Sequence, residues 1–203
     1  MTAIQSTGAS STLSKERWSA YSWPIIQKHV FRLQMRIAKA EREGKKGRVK
    51  ALQRLLTSSF YAKCIAVKRV TNSKGAKTPG IDGVVWRTDL QKTQAISKLK
   101  RRSYKPQPLR RIYIPKKTGK VRPISMPVMV DRAMQALYLI ALEPIVEERA
   151  DANAYGFRLK RSALDAIEQC FIVLGRSKSA TFVLEGDIRS CFDQIRYCVH
   201  RQA

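Results

Sequence analysis

The chain has 203 residues, of which 40 are lysine or arginine and 15 are aspartate or glutamate, so its formal net charge is +25 at pH 7. Hydrophobic residues make up 44% of the sequence, which is enough to bury a core and excludes a wholly disordered chain. The charge surplus excludes an ordinary neutral or acidic metabolic enzyme. It favours a polyanionic partner, with nucleic acid ahead of an anionic membrane surface.

The positive charge is distributed unevenly along the sequence. Residues 1–80 carry a net charge of +14 and residues 81–130 carry +11, whereas residues 131–203 have equal numbers of basic and acidic side chains. We therefore expect a polyanion-binding surface in the first two thirds and an ordinary folded core in the last third.

The cysteines do not indicate a metal site or a disulfide framework, because no CxxC pair occurs and the chain has only two histidines. Residues 1–14 are rich in serine and threonine and contain no apolar run, so we expect a disordered tail and no signal peptide. No segment reaches the ~20 apolar residues of a membrane span. These features predict a soluble cytoplasmic protein with free thiols.

From Trp18 the sequence predicts two amphipathic helices separated by Gly44 and Gly47, because apolar residues recur at spacings of three and four. The apolar residues of the first helix are Ile26, Val30, Leu33, Ile37 and Ala40. Those of the second are Leu52, Leu55, Leu56, Phe60, Cys64 and Val67, opposite Lys50, Arg54, Lys63 and Lys68. These basic faces fit a pair of antiparallel helices that binds a phosphate backbone. They fit equally well the solvent-exposed outer surface of a helical bundle.

Residues 72–83 (NSKGAKTPGIDG) are predicted to form a loop, but they lack the GxxxxGK[ST] pattern of a P-loop. A short helix is predicted from Asp89 to Arg102. The segments 109–115 and 121–127 alternate β-branched and aromatic residues around KKTG at 116–119, which is typical of a β-hairpin. Its basic residues are Arg110, Arg111, Lys116, Lys117, Lys120 and Arg122.

The last third is predicted to contain two helices and a strand. Asp131 is expected to cap a helix that reaches Glu148 and is bent or split at Pro144. Its apolar positions, which include Tyr138, run nearly all round, so it is predicted to lie in the interior. Ser162 and Asp165 resemble a capping box. The helix that follows is predicted to bury Ala166, Ile167, Cys170 and Leu174.

Residues 181–188 (TFVLEGDI) read as a strand that ends near Asp187, six residues before Asp193. Two carboxylates at this spacing are compatible with binding of a hard divalent cation. On spacing alone, a capping role for Asp187 and a surface position for Asp193 are favoured.

The order of these features resembles the fingers and early palm of a reverse transcriptase, and most closely the reverse transcriptase/maturase encoded by bacterial group II introns. The resemblance covers residues 17–195, and the helices near its start resemble the family's N-terminal RNA-binding extension. The matching segments are TPGIDGVVW (78–86), YKPQPLRRIYIPKKTGKVRPI (104–124), DRAMQALYLIALEPI (131–145), YGFR (155–158) and EGDIRSCFD (185–193).

The resemblance implies an α+β fold, in which a helical N-terminal extension is followed by the fingers and an incomplete palm of a right-hand polymerase. The implied divisions are a disordered tail at 1–14, the RNA-binding extension at 15–75, the reverse transcriptase fingers and partial palm at 76–195, and an off-pattern tail at 196–203.

The resemblance also implies roles for individual residues. Asp187 corresponds to the first catalytic aspartate and Ile188 to a residue whose backbone carbonyl binds one of two Mg²⁺ ions. Lys116 and Arg122 correspond to the pair that grips the incoming triphosphate, and Phe192 to the steric gate that selects deoxynucleotides. The residues expected to contact RNA are Arg32, Arg36, Lys50, Arg54, Lys63, Arg110 and Arg111.

Two departures from the family pattern stand out. The family usually reads YGFRPGRS where this chain has YGFRLKRS, so Leu159 and Lys160 replace a turn-forming Pro-Gly. The family's YADD box, which supplies further catalytic carboxylates, does not occur, and RYCVHRQA follows Ile195. We therefore expect a truncated, catalytically incomplete chain.

Three functions remain open at this point. In the first, the chain is part of an RNA-directed DNA polymerase that uses Mg²⁺, template RNA, a DNA primer and dNTPs. Its active site is then completed by another chain or in a homodimer. Alternatively, it is a non-catalytic, maturase-like module that binds intron RNA. A general RNA-coating protein is disfavoured by the apolar helix at 131–148 and by the EGDIRSCFD segment.

Overall fold

The computed structural model describes residues 18–115, 119, 121–179 and 181–188. The predictions for the tail at 1–14, for Lys116, Phe192 and Asp193, and for residues 196–203 lie outside this part of the chain. The chain divides into two compact units, residues 1–150 and 151–203. Helices and a small sheet occur together in the described residues, which confirms the α+β class.

A short 3-10 helix (Trp18–Ala20) opens the first unit, and three α-helices follow: α1 (Trp23–Arg42), α2 (Lys46–Ser58) and α3 (Phe60–Thr71). The buried residues of α1 include Ile26 and Ile37, which confirms the predicted apolar stripe. The prediction of one continuous second helix is wrong, because Ser59 adopts an extended conformation between α2 and α3. Serine competes with helical backbone hydrogen bonds, so the Ser58–Ser59 pair favours this break.

The break between α2 and α3 allows aromatic packing at the start of α3. The Phe60 ring packs edge-to-face against Tyr21, with 5.9 Å between the ring centroids. Tyr21 in turn packs against Trp18 and Trp23, so four aromatic rings close one end of the helical core.

Helix α5 (Met129–Arg149) packs against α1, α2 and α3 and forms the centre of the core. The prediction that α5 is buried all round is wrong, because only one face is buried and Leu139 and Leu142 are exposed. Its N-cap is Val128 rather than Asp131. The helix continues through Pro144, so the predicted split does not occur. Among the described residues, no helix is long and apolar enough to cross a membrane.

Helix α4 (Asp89–Lys98) is shorter than predicted. Thr88 and Gln91 form a capping box at its start, and the helix ends because the buried Leu99 leaves the helical conformation. The predicted hairpin is confirmed by the antiparallel strands β1 (Arg110–Pro115) and β2 (Val121–Met126). Every residue of β1 is exposed.

The second unit contains helix α6 (Ala163–Leu174), whose capping box of Ser162 and Asp165 is confirmed. The predicted burial of Ala166, Ile167, Cys170 and Leu174 is wrong, because none of the residues of α6 is buried. The predicted strand at 181–188 is also wrong. A strand needs a neighbour to accept its hydrogen bonds, and no described residue pairs with this segment.

Candidate nucleic-acid interface

A groove of about 300 Å³ lies on the surface of the first unit between α2 and α5. Two of the predicted RNA-binding residues, Lys50 and Arg54, line it. We call it the α2–α5 groove. Its other lining residues are Gln53, Thr57, Arg101, Tyr138, Ala141 and Leu142.

Sequence reasoning missed Arg101 and Tyr138 as members of this site. Arg101 follows the end of α4 in the basic run LKRR, and Tyr138 was assigned to a buried helix. The structure leaves 37% of Tyr138 exposed and brings it to the same groove as Arg101. The polar residue Gln135, one turn before Tyr138 on α5, is the sequence signal that could have indicated an open face.

The groove is held together by Gln53. Its side-chain nitrogen Nε2 donates a hydrogen bond of 3.1 Å to the main-chain carbonyl of Ala141, which links α2 to α5. The buried Thr57 hydroxyl donates a hydrogen bond of 2.8 Å to the Gln53 carbonyl one turn earlier. Its hydrogen-bonding requirement is thereby satisfied.

Several other basic residues of the first unit are already paired with acids, in ion pairs that connect α5 to α1 or α3. Arg42 binds Glu148 at 2.6 Å, and the Nε of Arg149 donates to Glu41 at 2.6 Å. Arg69 binds Glu143 at 3.3 Å. These ion pairs join α1 and α3 to α5.

The cations of the α2–α5 groove differ from those in the ion pairs. Lys50, Arg54 and Arg101 are exposed and make no ion pair within the part of the chain that the structure describes. Their charges are therefore available to an external anion such as a phosphate group.

The remaining predicted RNA-binding residues of the helices lie elsewhere. Arg32 and Arg36 are exposed one turn apart on α1 and do not line the groove. Lys63 is half-buried on α3, and burial together with the nearby charge of Lys100 lowers its pKa. A bound phosphate would oppose both effects by stabilising the charged amine.

The hairpin presents basic residues on both of its faces. Arg110 pairs with Met126, and Arg122 pairs with Ile114, so these two arginines share one face. Arg111 points to the other face. Since Lys116 lies outside the described residues, its predicted pairing with Arg122 stays a prediction.

A buried carboxylate fixes the segment that leads into the hairpin. Asp131, which is 4% exposed, accepts hydrogen bonds from the Tyr104 hydroxyl at 2.5 Å and from the Gln107 amide at 2.9 Å. Burial and the hydrogen bond from Tyr104 to Asp131 raise the pKa of the Tyr104 hydroxyl, which therefore remains a donor at neutral pH. The predicted capping role of Asp131 is corrected to this anchoring role.

The loop at 72–83 is fixed to the start of α5. Arg132 donates to the carbonyls of Gly75 at 2.9 Å and Pro127 at 2.8 Å. A Cβ atom on Gly80 would lie 2.6 Å from the Cα of Val128, so only glycine fits there. These contacts give the loop a structural role, in agreement with the rejection of a P-loop.

In the second unit, the loop that contains Leu159 and Lys160 still forms a turn, although its sequence departs from the family pattern. Lys160 stands where the family has glycine and has a φ of +57°. This left-handed conformation is the one that glycine adopts without steric cost. The loop backbone therefore retains the glycine-like geometry despite the substitution.

The predicted metal ligands Asp187 and Ile188 are both exposed. The Asp187 carboxylate accepts a hydrogen bond of 2.8 Å from the Ile188 amide. No group of three or more histidine, cysteine, aspartate or glutamate residues that could hold a metal occurs within the described ranges. One carboxylate is too few to hold two Mg²⁺ ions, so these residues alone do not fit a two-metal site.

Comparisons with known proteins identify the family. Residues 18–99 match the family described as the N-terminal domain of reverse transcriptase, and residues 114–198 match reverse transcriptase (RNA-dependent DNA polymerase). The group II intron-encoded protein LtrA of Lactococcus lactis subsp. cremoris is 36% identical over 134 residues, which is 64% of this chain and 22% of LtrA. The chain belongs to the group II intron reverse transcriptases.

The chain is also similar to two further proteins. Protein YkfC of Escherichia coli strain K12 is 38% identical over 159 residues, which is 74% of this chain and 41% of YkfC. A 91 kDa protein in the cob intron of Schizosaccharomyces pombe is 36% identical over 100 residues, covering 49% of this chain and 12% of that protein. The chain thus matches less than half the length of each of these relatives.

Proposed function

We propose that this N-terminal portion of a group II intron reverse transcriptase binds RNA, either intron or template, through the basic surface of its first unit. The observation that supports this is the separation of two kinds of cation. Arg42 and Arg69 are neutralised by acids of α5 and Arg149 by Glu41 of α1. Lys50 and Arg54, in contrast, lie unpaired within the described residues at one groove. Unpaired clustered cations are the footprint of a phosphate-binding surface.

The catalytic roles belong to the same proposal. In a site completed by further carboxylates, Asp187 and the Ile188 carbonyl would contribute ligands to Mg²⁺, which would neutralise charge on the transferring phosphoryl group. Lys116 and Arg122 would bind the triphosphate of a dNTP, and Phe192 would exclude a ribose 2′-hydroxyl. The DNA primer and the cytoplasmic location are further parts of this proposal.

We also propose that this chain does not polymerise by itself. Its 203 residues contain no YADD box. The carboxylates that complete the family's metal site would have to be supplied from outside these 203 residues. RNA binding by the basic surface does not require them, so the maturase-like alternative and the polymerase reading are compatible.

The salt dependence of RNA binding tests this function. We expect the chain to bind a transcribed group II intron RNA more tightly than a transfer RNA, with log K falling linearly with log[salt]. The double variant Lys50→Gln/Arg54→Gln should weaken binding and reduce the slope by between about one and two, since each lost phosphate contact contributes about one. Fluorescence anisotropy from 50 to 300 mM KCl provides the measurement.

A matched control is available in the same helical region. Lys39 and Lys45 both pair with Glu43, at 3.9 Å and 2.9 Å. The double variant Lys39→Gln/Lys45→Gln therefore removes the same total charge from residues that are already partly neutralised. If both double variants reduce the slope equally, the groove cations have no special role and only the net charge attracts RNA.

A further inference from the structure

We propose that the α2–α5 groove is a subsite for one unpaired nucleotide of an RNA strand, whose base stacks on Tyr138 while the flanking phosphates bind Lys50, Arg54 and Arg101. This inference rests on the proposed RNA-binding function. It adds a selection of single-stranded over duplex RNA that a general basic surface would not make.

The composition of the groove favours a base over a phosphate alone. Tyr138, Ala141 and Leu142 give it an apolar wall, whereas the three cations are supplied by α2 and by the segment after α4. A nucleotide is likewise divided into an apolar part, the face of its base, and a charged part, its phosphate backbone. An aromatic ring beside clustered cations is the usual arrangement for binding unpaired bases.

The size of the groove excludes a duplex as its occupant. A volume of about 300 Å³ accommodates a ligand of nucleotide size. In an RNA duplex the base faces are stacked on one another and are not accessible to a side chain. Only an unstacked base can reach the Tyr138 ring.

Gln53 supplies a polar group for such a base. Donation from Nε2 to the Ala141 carbonyl fixes the orientation of the amide, because a carbonyl cannot accept from the amide oxygen. The Gln53 oxygen Oε1 accepts no hydrogen bond from the described residues. It is therefore an acceptor available to an N–H group on the edge of a base.

The test compares a fluorescein-labelled 12-nucleotide single-stranded RNA with the 12-base-pair duplex of the same sequence, using the full 203-residue chain. We expect Tyr138→Leu to weaken binding of the single strand by about five-fold or more, because stacking on the ring is lost. Binding of the duplex and the salt slope should not change. Tyr138→Phe keeps the ring and should bind like the wild-type chain.

Two further variants separate stacking from charge and from folding. Arg101→Gln should weaken single-strand binding and reduce the salt slope by about one. Leu139→Ala changes an equally exposed neighbour on α5 that does not line the groove, and it should have no effect. Circular dichroism checks that each variant keeps its helices.

The outcomes distinguish this inference from the proposed function. If the wild-type chain binds intron RNA but Tyr138→Leu binds the single strand as tightly as wild type, the subsite is overturned and RNA binding stands. Equal losses for single strand and duplex would also overturn it. If the wild-type chain binds neither RNA, the proposed function fails and the subsite fails with it.

Discussion

At the scale of single residues, two glycines of the first unit have opposite structural roles. Gly80 packs against the backbone of Val128, where an added Cβ would lie 2.6 Å from Cα and 2.8 Å from the nitrogen. Gly47 is the second residue of α2, and nothing lies within 4 Å of an added Cβ there. Both appear in the sequence as loop-type glycines, but only the first is required by the packing.

This difference predicts opposite effects of the same substitution. Gly80→Ala should lower the free energy of unfolding by about 1–3 kcal/mol, because the backbone must move to relieve the clash. Gly47→Ala should raise it by about 0.5 kcal/mol or less, since alanine favours the helix but this position lies in the first helical turn. Urea denaturation followed by circular dichroism measures both. A Gly80→Ala chain as stable as wild type would contradict the close approach to Val128.

At the scale of elements, the anchoring of the hairpin depends on Asp131. Asp131→Ala leaves the Tyr104 hydroxyl and the Gln107 amide without their acceptor. We expect a loss of about 1–3 kcal/mol in the free energy of unfolding, together with faster hydrogen exchange at the amides of residues 104–110. Tyr104→Phe removes one of the two bonds and should produce a smaller loss. An unchanged exchange rate in Asp131→Ala would show that the hairpin is held by other contacts.

The elements also show what the sequence could and could not predict. The stripe of α1, the capping box of α6 and the β-hairpin were predictable, because each depends on residues close together in the sequence. The packing of Phe60 on Tyr21 was not predictable, because these residues are distant in sequence, although the Ser58–Ser59 pair locally favours the break that allows it. The same is true of Asp131, whose role depends on Tyr104. In the α2–α5 groove, the local sequence pattern predicted Lys50 and Arg54, whereas tertiary contacts bring Arg101 and Tyr138 to the same place.

At the scale of the whole molecule, the two units contribute different parts of the proposed activity. The first unit contains the predicted RNA-binding residues, and the second contains Asp187 and Ile188. Transfer of a phosphoryl group by two metals needs several carboxylate ligands at about 4 Å metal spacing. Asp187 is the family-matched carboxylate in the described part of the second unit, so RNA binding and polymerisation should be separable in this chain.

This separation leads to a prediction for the isolated chain. In a primer-extension assay on poly(rA)/oligo(dT) with Mg²⁺, we expect no incorporation of dTTP above that of Asp187→Ala, because a single carboxylate cannot hold both metals. The same preparation should bind intron RNA normally, which controls for folding. Incorporation that is lost in Asp187→Ala would contradict the prediction. It would mean that a second copy of the chain, or other carboxylates of this one, completes the metal site around Asp187.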